Sequence, residues 1–129
     1  FTPNLSLFYA LDLALEDLLD QGMESVYTRH VYFGDMVRAG IKSTGLTLLA
    51  DESIASNTVT AARLPEGLDA KSFIDILRLE HGVVVAGGLG TLEGEIVRIG
   101  HMGAVTKEEI DGLLEAFVCT LTTLGHRDL

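Results

Sequence analysis

Val83-Val84-Val85-Ala86-Gly87-Gly88-Leu89-Gly90 and, five residues further on, Ile96-Val97-Arg98-Ile99-Gly100-His101-Met102-Gly103 decide how this chain folds. Each segment holds an apolar, β-branched run of strand length that ends in glycine. The pattern predicts two strands, over 83–86 and 95–101, with a glycine-containing loop between them. Alternation puts Ile96, Arg98 and Gly100 on one face of the second strand and Val97 and Ile99 on the other. An arginine inside an apolar strand is costly to desolvate, so it meets an anion. Its planar fork matches a carboxylate through two parallel hydrogen bonds. A structural ion pair with one of the chain's 19 acidic residues is the alternative, and the residues alone leave both open.

Gly87-Gly88-Leu89-Gly90 follows a strand, as a phosphate-binding loop would, but it does not make a dinucleotide fingerprint. Counting G-x-G-x-x-G from Gly88 puts Glu93 at the third glycine, and no helix begins there. A tight turn that needs positive φ or close backbone approach accounts for the run.

Working outward, Thr106 and Glu109 form a capping box. The helix that follows carries Ile110, Leu113, Leu114, Phe117 and Leu121 on one face and ends near Gly125. On the other side, Asp69 caps a helix over 70–80 with Phe73, Ile74 and Leu77 inward, closed by His81-Gly82. Pro65-Glu66-Gly67 is a turn. Before it lie strands over 46–50 and 58–64, with a polar loop over 51–57. The chain opens with two helices separated only by Gly22. The first carries Leu7, Leu11, Ala14, Leu15 and Leu18, widened by Leu5, Phe8 and Leu19. The second carries Val26, His30, Phe33, Val37 and Ile41, and Gly45 stops it. Gly34 and Gly40 each cost that helix up to about 1 kcal/mol, so it must lean on tertiary contacts. The order α-α-β-β-α-β-β-α predicts an α+β domain over 1–129. Its sheet is small, mostly antiparallel and of about four strands, with helices on one face.

The 129 residues suit one domain, and 47% hydrophobic content suits a real core. A net charge of −10, with nine scattered basic residues, argues against nucleic acid and an anionic membrane surface. No apolar run approaches the roughly 20 residues of a membrane span. The single Cys119 excludes an internal disulfide and fits a reducing, cytoplasmic setting. Mid-helix between Val118 and Thr120, it reads as a small buried residue and not a nucleophile. His30, His81, His101 and His126 show no zinc spacing, so no metal site is expected. His30 reads as a packed, hydrogen-bonded residue, and His101 as a strand end near Arg98. Lys42, Lys71 and Lys107 fall at exposed helix positions without the desolvated setting of a reactive amine. No serine sits in G-x-S-x-G. The residues alone therefore offer no catalytic constellation. The opening Phe1, in place of Met, is read as the start of a processed protein or of a piece of a longer one.

Four segments in register then carry a resemblance. They are Thr2-Pro3-Asn4-Leu5-Ser6-Leu7-Phe8-Tyr9-Ala10-Leu11, the run from Glu24 to Arg29-His30, Gly87-Gly88-Leu89-Gly90, and Arg98-Ile99-Gly100-His101-Met102-Gly103. Across essentially its whole length the chain resembles the C-terminal small domain of class V pyridoxal-phosphate aminotransferases, within the alanine–glyoxylate and serine–pyruvate group. The resemblance implies that the large domain, with the cofactor-anchoring lysine and most of the cofactor pocket, is absent from this chain. It implies that Arg98 binds the substrate α-carboxylate and that Thr2 reaches the cofactor phosphate of the neighbouring subunit in a homodimer. No catalytic residue is assigned here, and pyridoxal 5'-phosphate is not expected on the isolated chain. The full-length parent would move an amino group from a small amino acid such as alanine or serine to glyoxylate or pyruvate. The isolated chain would be inactive. A free-standing amino-acid-binding or regulatory module is the competing expectation, since fold alone does not settle function. A cysteine desulfurase ranks below both, because Cys119 falls on a helix and not on an exposed loop.

Overall fold

The computed structural model describes residues 2–126. Phe1 and residues 127–129 lie outside the described residues. Four helices, α1 (Leu5–Gln21), α2 (Met23–Ser43), α3 (Ala70–His81) and α4 (Lys107–Thr123), accompany four strands, β1 (Thr47–Leu48), β2 (Val59–Arg63), β3 (Ala86–Gly87) and β4 (Ile96–Gly100). The strands form one sheet in the order β1-β2-β4-β3, with every neighbouring pair antiparallel. The α+β architecture and element order match the expectation from the sequence.

The register follows from which side chains need burial. Ala62 pairs with Val97, and Thr60 with Ile99. All four are buried and point to the face that α2, α3 and α4 cover. The core beneath joins Phe33, Val37 and Ile41 of α2, Phe73 and Leu77 of α3, and Ile110, Phe117 and Leu121 of α4. Phe73 and Phe117 meet edge to face, with ring centroids 5.2 Å apart and planes at 76°. That geometry sets the positive ring edge against a negative ring face.

Local chemistry sets the element ends. Asn4, Asp69 and Thr106 each accept a backbone N–H at a helix start, and Thr106 and Glu109 complete the expected capping box. Gly22, with φ at 80°, both ends α1 and opens α2. Gly40 lets α2 approach α4 closely, since a Cβ there would overlap the Leu114 side chain. This is the tertiary support that the two glycines of α2 require.

Three expectations need correction. The strand expected over 83–86 is instead Ala86–Gly87. Gly82 takes the left-handed conformation after α3, and the Val83 N–H turns back to the Leu77 carbonyl at 2.9 Å. Capping the helix removes Val83 from the ladder and leaves Val84 80% exposed. The apolar stripe of α1 does not reach this core: α1 joins α2 through Gly22 and has no buried residue. Cys119 is exposed and not buried. It lines a groove of about 410 Å³ between the C-terminal half of α2 and α4, with Gly40, Leu114 and Val118.

Candidate functional site

Arg98 sits at the centre of β4, between Ala61 of β2 and Ala86 of β3. Alternation turns it away from Val97 and Ile99, onto the face opposite the helices. Both cross-strand neighbours are alanines, so no bulk stands beside the guanidinium on that face. The side chain is half-buried, and its Nε donates to the Gly87 carbonyl at 2.8 Å. None of the ion pairs among the described residues involves Arg98. Of the two readings the sequence left open, the structural salt bridge therefore finds no partner here. One edge of the guanidinium is fixed by a neutral carbonyl, and no acid among the described residues compensates its charge.

The glycine run builds that anchor. The Gly88 N–H donates to the Ile96 carbonyl at 3.1 Å, after which the chain leaves the sheet. In an antiparallel ladder the residue next to a bonded pair turns its polar groups outward, so the Gly87 carbonyl faces off the edge of β3. A 3-10 turn, Gly90–Leu92, then folds back against Gly88. A Cβ on Gly88 would overlap the Leu92 carbonyl oxygen. Close backbone approach, the reading given to this run from its composition, is therefore what it provides. No phosphate cradle opens onto a helix here.

His101 belongs to the other face. It is fully buried, with Nε2 and the Thr60 hydroxyl 2.9 Å apart and Nδ1 without a partner among the described residues. Burial first, and then the positive charge of Arg38, lower its pKa from 6.5 and keep the ring neutral. Adjacent in sequence to the Arg98 strand face, it is separated from that arginine by the sheet. His30 is the hydrogen-bonded residue expected, tied to Val26 and Gly103. Thr2 lies exposed in the lead into α1, which joins α2 through Gly22. The structure thus does not gather Thr2 and Arg98 into one pocket within the chain.

Arg38 escaped the sequence reading. It is a buried arginine on α2 that donates to Asp35 at 2.6 Å, the Ser56 carbonyl at 2.9 Å and Asn57 Oδ1 at 3.3 Å. It ties the loop before β2 to the helix layer. A signal existed: Gly34 lies one helical turn before it, and a Cβ there would stand 3.0 Å from Arg38 Nη1. The three lysines are each bonded to a carboxylate, Lys42 to Glu52, Lys71 to Asp75 and Lys107 to Asp111. None is desolvated. Among the described residues no cluster of potential metal ligands occurs, and no helix is long and apolar enough to cross a membrane.

No protein-family model matches the chain. An uncharacterised aminotransferase of Methanocaldococcus jannaschii is 40% identical over 97% of the chain and 32% of its own length. Serine–glyoxylate aminotransferase of Methylorubrum extorquens is 35% identical over 97% of the chain and 31% of its own length. The crystal structure of pyridoxamine–pyruvate aminotransferase from Mesorhizobium loti superposes with a TM-score of 0.92 at 38% identity, over 97% of the chain and 32% of that protein. The chain spans about a third of the length of these relatives.

Proposed function

The chain belongs to the class V aminotransferases, and from that premise we propose that it is the C-terminal small domain of a pyridoxal-phosphate-dependent transaminase, supplying the arginine that holds the substrate carboxylate. One observation carries the reading: the Arg98 guanidinium is anchored on a neutral carbonyl, and no acid among the described residues pairs with it. A guanidinium flanked across the sheet by Ala61 and Ala86, and held only through its Nε, suits a small carboxylate arriving from outside. The serine–glyoxylate and pyridoxamine–pyruvate relatives support amino-donor and oxo-acid substrates, with glyoxylate or pyruvate as the acceptor.

The residues present fit one half of such a site. A cofactor of this type needs an unpaired, desolvated lysine, and Lys42, Lys71 and Lys107 are all engaged at the surface. The exposed Thr2 is free to meet the cofactor phosphate of a neighbouring subunit, so the parent is a homodimer in this reading. When bound, the cofactor supplies an electron sink at the amino carbon. Arg98 does the orienting. Two hydrogen bonds to the carboxylate fix the rotation of the amino acid and hold its Cα–H toward the proton-transfer lysine of the large domain. The apolar residues that α1 leaves exposed, among them Leu7, Phe8, Leu11 and Leu15, are covered by that large domain. A cytoplasmic parent is part of this reading.

The test is Arg98→Ala in the full-length parent, assayed with alanine or serine as donor and glyoxylate or pyruvate as acceptor. The expected result is a joint loss of substrate affinity and rate. Unchanged kinetics would remove Arg98 from the site.

A further inference from the structure

We infer that Gly87, Gly88 and Ala86 form a positioning device that makes Arg98 selective for carboxylate donors, by seizing its Nε and leaving its two terminal amino groups for the ligand. The inference rests on the carboxylate reading of Arg98 and assigns roles to residues beyond it.

A guanidinium has five N–H donors along two kinds of edge. The end-on edge, with both terminal nitrogens, and the side edge, with Nε and one terminal nitrogen, can each grip a carboxylate. An arginine free to rotate samples both. Here Nε is taken by the Gly87 carbonyl at 2.8 Å, which occupies the side edge and leaves the end-on fork. The arm is fixed before a substrate arrives, so less rotamer freedom is lost on binding.

Three features make the anchor possible. Ala86 lies directly opposite Arg98 on the same face, and its single methyl lets the arm pass over β3 toward the sheet edge. Gly87 is the last residue of β3, with its carbonyl turned off the edge. Gly88 lets the 3-10 turn close against the strand, which holds that carbonyl in place; any side chain there would meet the Leu92 backbone. A backbone acceptor suits this role better than an acid. A carboxylate would neutralise the arginine and compete with the substrate, whereas a carbonyl orients it and leaves the charge.

The experiment uses the full-length, cofactor-loaded parent. Single-turnover rates are measured for L-alanine against ethylamine, and for L-serine against ethanolamine. Each amine is the same donor without its carboxylate, so the ratio within a pair reads carboxylate recognition alone. Gly88→Ala displaces the anchoring carbonyl. Ala86→Val, at an exposed edge position that tolerates a β-branched residue, blocks the path of the arm and serves if Gly88→Ala does not fold. Each variant is expected to lower the carboxylate preference, read as the ratio within each donor pair, tenfold or more. Retention of the full preference in a folded Gly88→Ala or Ala86→Val enzyme, alongside its collapse in Arg98→Ala, would overturn the positioning role. If Arg98→Ala itself keeps the preference, the carboxylate reading fails and the positioning role with it.

Discussion

His30 ties α2 to the turn that follows β4: its Nε2 accepts the Gly103 backbone N–H at 3.1 Å, 73 residues away in sequence. Because Nε2 accepts, the ring hydrogen is on Nδ1, and it donates to the Val26 carbonyl at 2.7 Å. The pair holds the chain as it leaves the Arg98 strand. His30→Ala should cost about 1 kcal/mol of stability for the lost hydrogen bonds. It should also speed amide exchange at Gly103 well beyond the global change. Exchange at Gly103 that tracks global stability alone would show that the loop is held by something else.

Phe117 is fully buried against Phe73 at the junction of α3 and α4. Phe117→Ala removes a fully buried ring from the core and its edge-to-face contact with Phe73, and should destabilise the chain by about 3–5 kcal/mol. Val118→Ala, one residue on and 52% exposed, should stay within about 0.5 kcal/mol. Urea midpoints of the two variants test the contrast, and similar values would contradict the assigned core.

The His101 ring sets an acid-side pH dependence. Its pKa is lowered from 6.5 in the folded chain, by burial and then by Arg38. As pH falls through 6.5, the unfolded chain takes up a proton that the native chain does not, so stability declines below that pH and is indifferent to this group above it. His101→Gln keeps a polar group near the Thr60 hydroxyl without the titration. It should flatten the stability profile below about pH 6.5. An unaltered slope would assign the dependence to other groups.

The isolated 129-residue chain should not turn over alanine plus glyoxylate, since its three lysines are each paired with an acid. Calorimetric titration with alanine, serine or glyoxylate should give no measurable heat of binding, because Arg98 is the one part of the proposed site that lies in this chain. Micromolar binding would favour a self-contained amino-acid-binding module instead.

Much of this fold is legible from the sequence because helices and strands carry local signatures. The 3.6-residue spacing of α3 and α4, the capping residues Asp69 and Thr106, and the alternation through β4 each report on a few consecutive residues. The inward turn of Val97 and Ile99, with Arg98 on the opposite face, follows from that alternation. Four motifs in register, each a few residues long, carry the family resemblance by themselves. What only the tertiary structure decided depends on partners far along the chain. Arg98 could have met any of the acids, and nothing local to β4 says that it meets the Gly87 carbonyl instead. Val83 looks like strand until the cap of α3 takes its N–H. Cys119 looks buried until the groove between α2 and α4 exposes it. The stripe on α1 records a need for burial that periodicity can detect, but only packing tells where it is met, and this chain does not meet it. Hydrophobic pattern is a property of one segment, whereas pairing and burial are properties of the surfaces that segments present to each other.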